Sequence, residues 1–400
     1  MSRTAPIPSR SELAGRARDL LPLLREHAAE TETSGRVPDV VIEAIREAQL
    51  YRLTVPRRYG GFELPWRTVV EVCSIVAQGC GSAGWVTGYA NTAKWMSSLW
   101  AKEAQDEIFA AGPDAIHAGS SKPTTDVVAT DGGYVINGQW PSLSGVPYSA
   151  WVGVFLLVPG EDGKPPRMLE ALVPRDQVEI VDTWNVSGLK GTGSESVVAK
   201  DVFVPYHRTI DMSLLQSNDF SQYPTPFKDE ALYRGATHPV LALAIGISPL
   251  GLAQGALDLV VEGAQTRPLT GTVHKHQRDS VSFQNEIADA AMMVDTARLH
   301  LYRAAEDIDR FAASGDVMDF VTRARVRADT GWAVTHATRC LDRLTTAVGS
   351  GAFSLANPLQ RMWRDANIAA RHGAANYMLN RELYGKALLG MPVTFNRLAV

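Results

Sequence analysis

Apolar residues recur through the first hundred positions at the spacing of a helix. From Ser11 the run places Leu13, Leu20, Leu21 and Leu24 close to a 3.6-residue period. Val37-Pro38-Asp39 opens a second run with Pro and Asp at its start, and the Gly60-Gly61 pair marks the loop after Pro56. A third run, Trp66 to Ala77, precedes a glycine-rich segment, Gly79 to Gly84, read as a turn ahead of Trp85 and Tyr89. The pattern changes near Pro113. From Ala115 to about Val204 the signals are those of strands, with a hairpin turn at Asp131-Gly132-Gly133, an apolar strand from Trp151 to Val158, and a last strand at Asp201–Pro205. Residues 206–235 read as a polar connection. Helical signals return from about Thr237 to Leu389, where Asp279–Ala312 and Val317–Val348 are long enough to form a bundle. The expected fold is therefore mostly α with a central β domain: helices over 1–113, a β barrel or sandwich over 114–210, and a linker with a four-helix bundle over 211–400. Strands and helices do not alternate as they would in a Rossmann or barrel enzyme.

Composition narrows the function. Apolar content of 45%, charged content of 20% and a net charge of −4 describe an ordinary globular protein, with no basic run to suggest nucleic acid. The amino terminus carries no apolar signal core, and the longest apolar stretch, Pro239 to Leu252, reads as a buried helix, not a membrane span. Three cysteines (Cys73, Cys80, Cys340) lack metal-ligand spacing and give no disulfide framework, so the expected location is the cytoplasm. His274 and His276 form a His-x-His without a second ligand cluster, and no metal is expected.

Several segments, in order, resemble the acyl-CoA dehydrogenase superfamily: Val55–Gly61, Gly138–Gly145, Gly188–Ser194, Asp201–Pro205, Thr266-Arg267, Gln284–Asp289, Gly349–Gly351, and Pro358–Gly373 with its Arg364-Asp365 pair. Where many dehydrogenases carry a catalytic Glu before a Gly, this chain has His372 before Gly373. That His and the Trp-x-x-x-Ser-Gly of Trp140, Ser144 and Gly145 resemble the two-component flavin-dependent monooxygenase branch. Ser121-Lys122-Pro123 stands where dehydrogenases tend to show Thr-Glu-Pro.

The resemblance implies an enzyme that takes reduced FAD or FMN from a separate flavin reductase. With O2 as co-substrate it hydroxylates a small electron-rich aromatic (a phenol, an indole or a polycyclic aromatic) through a C4a-hydroperoxide. No dinucleotide fingerprint in a βαβ context is present, as befits a chain that does not use NAD(P)H itself. His372 is expected to hydrogen-bond the substrate or manage a proton near neutrality. Ser144 is expected to meet flavin N5, with Trp140, Ser142 and Gly145 as further flavin contacts. His117 is a second catalytic candidate, set against a surface or strand-edge histidine. Arg267 suits flavin phosphate, and Gly349-Ser350-Gly351 suits close backbone approach. Trp85 and Tyr89, with His117, are candidates for the substrate pocket, although aromatics at this spacing also serve as plain core. A homotetramer or dimer is expected, with flavin sites completed between subunits. Three other readings stand beside this one: a dehydrogenase with His372 as base, an N-oxidising nitrososynthase-type enzyme, and a helical-bundle oligomer without flavin.

Overall fold

A computed structural model describes residues 6–160 and 165–392; residues 1–5 of the amino-terminal segment read for a signal core lie outside it. The first helical section comprises α1 (Arg10–Asp19), α2 (Leu21–Glu26), α3 (Ala28–Ser34), α4 (Asp39–Glu47), α5 (Trp66–Gly79), α6 (Gly81–Ser97) and α7 (Lys102–Phe109). A capping box starts α1: Ser9 accepts the Glu12 N–H while Glu12 accepts the Ser9 N–H.

One sequence expectation fails here. Residues 79–84 are not a turn. Only Cys80 is extended, and Gly81 already begins α6, so Trp85 and Tyr89 lie inside a helix. The glycines are contact surfaces instead. A Cβ on Gly84 would lie 2.4 Å from that of Ala77, and one on Gly81 would lie 2.9 Å from Leu252.

The β section holds β1 (Ile116–Thr124), β2 (Val127–Thr130), β3 (Gly133–Leu143), β4 (Ser149–Val158), β5 (Arg167–Pro174), β6 (Glu179–Val181), β7 (Glu195–Pro205) and β8 (Thr209–Asp211). They form two four-stranded sheets, β1-β4-β5-β8 and β2-β3-β7-β6, parallel only between β1 and β4. Ile136, Trp140, Val152, Val154, Ala171 and Val197 share the core between them. The opposite face of the first sheet packs on the helices through Trp151, Met168, Leu172 and Ile210. The stretch after Pro205, read as a loop, contributes β8 and a short helix, α8 (Met212–Gln216), capped by Asp211.

The last section is α9 (Thr237–Gly263), α10 (Val281–Ser314), α11 (Phe320–Val348), α12 (Pro358–Ala369) and α13 (Tyr377–Leu388). Ser280, Asp319 and Asn357 each accept a backbone N–H to start α10, α11 and α12. Among the described residues α9 alone is long and apolar enough to cross a membrane, yet 83% of its most apolar window is buried in the protein.

Close packing of α9 on α5 depends on Gly251, where a Cβ would stand 2.1 Å from the Ser74 carbonyl oxygen. Alanine normally gains about 1 kcal/mol over glycine in a helix. Here the clash is with backbone, which no rotamer change relieves, and overpacking costs about 1–3 kcal/mol. Gly251→Ala is expected to lower the urea midpoint; a raised midpoint would refute this packing.

Candidate active site

Helix α6 runs along the seam between the helical core and the first sheet, and three residues on that side, Trp85, Tyr89 and Ser97, reach β-section residues. The Trp85 indole N–H donates to Ser144 Oγ at 3.0 Å. The Tyr89 hydroxyl donates to the Gly119 carbonyl at 3.0 Å. Ser97 Oγ lies 3.3 Å from His117 Nδ1. His372 joins the first of these contacts: its ring centroid is 6.1 Å from that of Trp85. Three residues singled out from sequence, Trp85, Ser144 and His372, thus converge from three distant parts of the chain.

Ser144 sits just past the end of β3 because the strand bulges before it. Trp140 pairs with Val197 and Leu143 with Glu195, leaving Pro141 and Ser142 opposite a single residue, and Ser142 takes a φ of 64°. Gly145 follows at φ 79°, and its N–H donates to the Thr192 carbonyl at 2.9 Å. Behind Ser144 stand two hydroxyls that sequence reasoning did not single out. Ser144 Oγ lies 2.8 Å from Ser194 Oγ, and Ser194 Oγ lies 2.7 Å from Thr192 Oγ1. Thr192 Oγ1 donates to the Leu189 carbonyl at 2.8 Å. The loop carrying them is tied to α12, where Asp365 accepts the Leu189 N–H at 2.5 Å. Burial pushes the Asp365 carboxyl up to about 7.

His372 ends the stretch after α12 and caps a short turn over Gly373–Ala375. Its Nδ1 accepts the Ala374 N–H at 3.2 Å, so the neutral ring carries its proton on Nε2. The residue is open to solvent by area. Protein crowding its remaining sides still desolvates the ring and lowers its pKa below the ordinary 6.5.

The other candidates separate. Trp140 is a correction: it is 0% exposed in the β core, and its N–H donates to the Phe155 carbonyl at 2.9 Å, which leaves no surface for a flavin. Ser142 is exposed at the bulge. His117 is on the edge strand β1 but is not a surface residue. It is 2% exposed, its Nε2 has no hydrogen-bond partner, and burial followed by the Lys94 charge pushes its pKa down to about 3. Farther along the seam, Glu170 was also missed. Its Oε2 is buried without a partner, and burial raises the carboxyl to about 8, so it is neutral at pH 7.

Arg267 and Gly351 come together in a groove of about 480 Å3, lined also by Gln277, Ser354 and Asn357. Gly349 ends α11 at φ 81° and Ser350 begins the following turn. This groove lies at the start of α12 and His372 just past its end. The 12-residue helix between them spans about 18 Å. His274 and His276 lie in a loop, and among the described residues no cluster of three or more His, Cys, Asp or Glu side chains could hold a metal.

Comparison with known proteins identifies the family. Residues 13–111 match the acyl-CoA dehydrogenase N-terminal domain and residues 243–377 the acyl-CoA dehydrogenase C-terminal domain. The oxygenase subunit HsaA of a flavin-dependent monooxygenase from Rhodococcus jostii (strain RHA1) is 32% identical over 383 residues, 94% of this chain and 97% of that protein. The oxygenase component of an FADH(2)-dependent resorcinol hydroxylase from Rhizobium sp. is 31% identical over 97% of each. The solved structure of XiaF from Streptomyces sp., in complex with FADH2 and glycerol, matches with a TM-score of 0.89 at 35% identity over 96% of each chain. These similarities fit the monooxygenase reading and not the dehydrogenase, nitrososynthase-type or flavin-less alternatives. The chain belongs to the acyl-CoA dehydrogenase superfamily, in the branch of two-component flavin-dependent monooxygenase oxygenase subunits.

Proposed function

We propose that this flavin-dependent monooxygenase hydroxylates a phenolic ring seated against Trp85, Ser144 and His372. The observation that carries the reading is the convergence of those three side chains at one end of the α6 seam. Similarity to HsaA and to resorcinol hydroxylase supports the substrate class. Reduced FAD or FMN would come from a separate reductase.

The residues present fit a flavin. Ser144 offers an oxygen beside its indole partner, and Gly145 keeps the backbone bare where a Cβ would crowd Val86 at 3.3 Å. Bound reduced flavin supplies the electrons that activate dioxygen for delivery of one oxygen atom to the ring. The protein's own part is positioning, proton control and exclusion of water. Trp85 walls the site and fixes Ser144. His372 faces its substrate with Nε2–H, a donor. A phenol oxygen accepts such a bond, whereas an indole N–H would set donor against donor, so the tautomer favours phenols. Tyr89 and the neutral Glu170 carboxyl, farther along the seam, suit a second polar group on the substrate.

The Arg267 groove lies at the far end of α12 from His372, and in the assembly we propose, a homotetramer or dimer, Arg267 serves the flavin of a neighbouring copy. Leu299 and Met292 on α10 and Leu355 before α12 are 69%, 65% and 85% exposed, apolar surface that suits such assembly. Three buried, unpaired cysteines suit a reducing compartment, and we place the enzyme in the cytoplasm. Arg267→Ala is expected to weaken reduced-flavin binding by about tenfold, the worth of one charge-assisted contact. Unchanged affinity by anaerobic titration would remove Arg267 from the flavin site.

The test of function is to mix the protein anaerobically with reduced flavin, then with oxygen and a panel of phenols and indoles. Hydroxylated phenol with little hydrogen peroxide is the expected result. Stoichiometric peroxide with every phenol, or turnover of indoles alone, would overturn the reading.

A further inference from the structure

We infer that Thr192 and Ser194 are positioning residues that lock the Ser144 hydroxyl as an acceptor, so that the site selects the flavin state whose N5 carries hydrogen. The inference rests on the proposed function only in taking Ser144 as the partner of N5. Its physical content lies in four hydrogen bonds that admit a single arrangement of protons.

At one end of the chain an indole N–H can only donate, so Trp85 donates to Ser144 Oγ. At the other end a carbonyl can only accept, so the Thr192 hydroxyl donates to Leu189. Thr192 has one proton, already used, and must therefore accept from Ser194 across their 2.7 Å contact. Ser194 has then spent its own proton and must accept from Ser144 across 2.8 Å. A serine oxygen has one proton and two lone pairs. For Ser144 the proton goes to Ser194 and one lone pair to Trp85. What remains is one lone pair. All three hydroxyl residues are nearly sealed, with Thr192 at 1%, Ser194 at 2% and Ser144 at 8% exposed, so water does not compete to reorient them.

An acceptor at this position discriminates between flavin redox states. Reduced flavin carries hydrogen on N5 and donates. Oxidised flavin has only a lone pair there, and two facing lone pairs repel. The loop that sets the relay is itself braced: Leu189 donates to Asp365, and Gly188 packs so tightly on α12 that a Cβ would lie 2.5 Å from the Arg364 carbonyl oxygen.

The test compares anaerobic dissociation constants for reduced and oxidised flavin, with the midpoint potential of the bound flavin as an independent readout. Thr192→Val keeps the side-chain shape but removes the acceptor at the end of the relay. Ser194 is then free to donate to Ser144, whose proton turns toward the flavin. The preference for reduced flavin is expected to narrow about tenfold, the worth of one hydrogen bond, and the bound midpoint potential to fall by about 30 mV for a two-electron couple. Ser194→Ala frees the same proton and should act in the same direction, which keeps the test open if one variant folds poorly. Thr192→Ser should restore the wild-type ratio. Ser144→Ala should abolish the effect of Thr192→Val in a double-mutant cycle. If Thr192→Val and Ser194→Ala leave the ratio intact while Ser144→Ala changes it, the relay does not orient Ser144 and the inference is wrong. If Ser144→Ala also changes nothing, Ser144 does not meet N5, and the reading beneath it fails as well.

Discussion

Replacing His372 with alanine is expected to lower hydroxylation by about 10²–10⁴-fold, the usual contribution of a positioned proton donor or acceptor, while reduced-flavin affinity stays near wild type. The geometry makes the expectation more specific. Because Nδ1 accepts the Ala374 N–H, the proton sits on Nε2, the atom proposed to face the substrate. A donor should be replaceable in part by another donor, so His372→Gln is expected to recover some of the lost rate where alanine recovers none. Equal loss in both variants would mean that the imidazole works as a base. The pH profile adds a second readout. Desolvation by the protein crowding the ring lowers the pKa of His372, so the neutral form persists below 6.5 and is lost as pH falls through that lowered value. The second proton must land on Nδ1, displacing the Ala374 contact. An acid limb below pH 6.5 in kcat/KM is therefore expected in the wild type and should be missing from the residual activity of the alanine variant.

How much of this site was legible in the sequence depended on distance along the chain. Long apolar periodicities made α10 and α11 readable within a few residues, and Val37-Pro38-Asp39 marked the start of α4 because proline and aspartate suit a helix start for local reasons. Gly81 and Gly84 misled for the opposite reason. Locally a glycine reads as a break, but these two make room for Leu252 and Ala77 from other elements, a need that only the packed structure creates. Trp140 illustrates a slip of phase. Strict alternation would place residues 140, 142 and 144 on one face of β3, yet the bulge at Ser142 sends Trp140 and Leu143 into the β core and leaves Ser144 at the seam. The Ser194 partner of Ser144 lies 50 residues away in sequence. The segment carrying it was recognisable as a motif, but nothing local in Gly-Thr-Gly-Ser says which hydroxyl its side chains will meet.

Ser144→Ala is expected to separate flavin oxidation from substrate oxidation. The variant should consume reduced flavin and oxygen but release about ten to a hundred times more hydrogen peroxide per product formed, the range set by losing one buried hydrogen bond at about 1–3 kcal/mol. Two consequences of the substitution compete. Removing Oγ leaves the Trp85 N–H and the Ser194 hydroxyl without their partner, which costs stability, and it removes the oxygen proposed to hold the flavin edge. Trp85 is only partly buried, so its N–H can reach water, while Ser194 keeps the bond it donates to Thr192. The fold should therefore survive with a modest penalty, and the larger effect should fall on coupling. This result differs in kind from that expected of His372→Ala, which removes the group proposed to face the substrate and spares those proposed to hold the flavin. If Ser144→Ala raises peroxide without changing substrate affinity, while His372→Ala depresses product at a given flavin occupancy, the two side chains act on opposite partners of the same reaction. A Ser144→Ala enzyme as tightly coupled as the wild type would show that Trp85 and Ser144 are only a structural clasp between α6 and the β section.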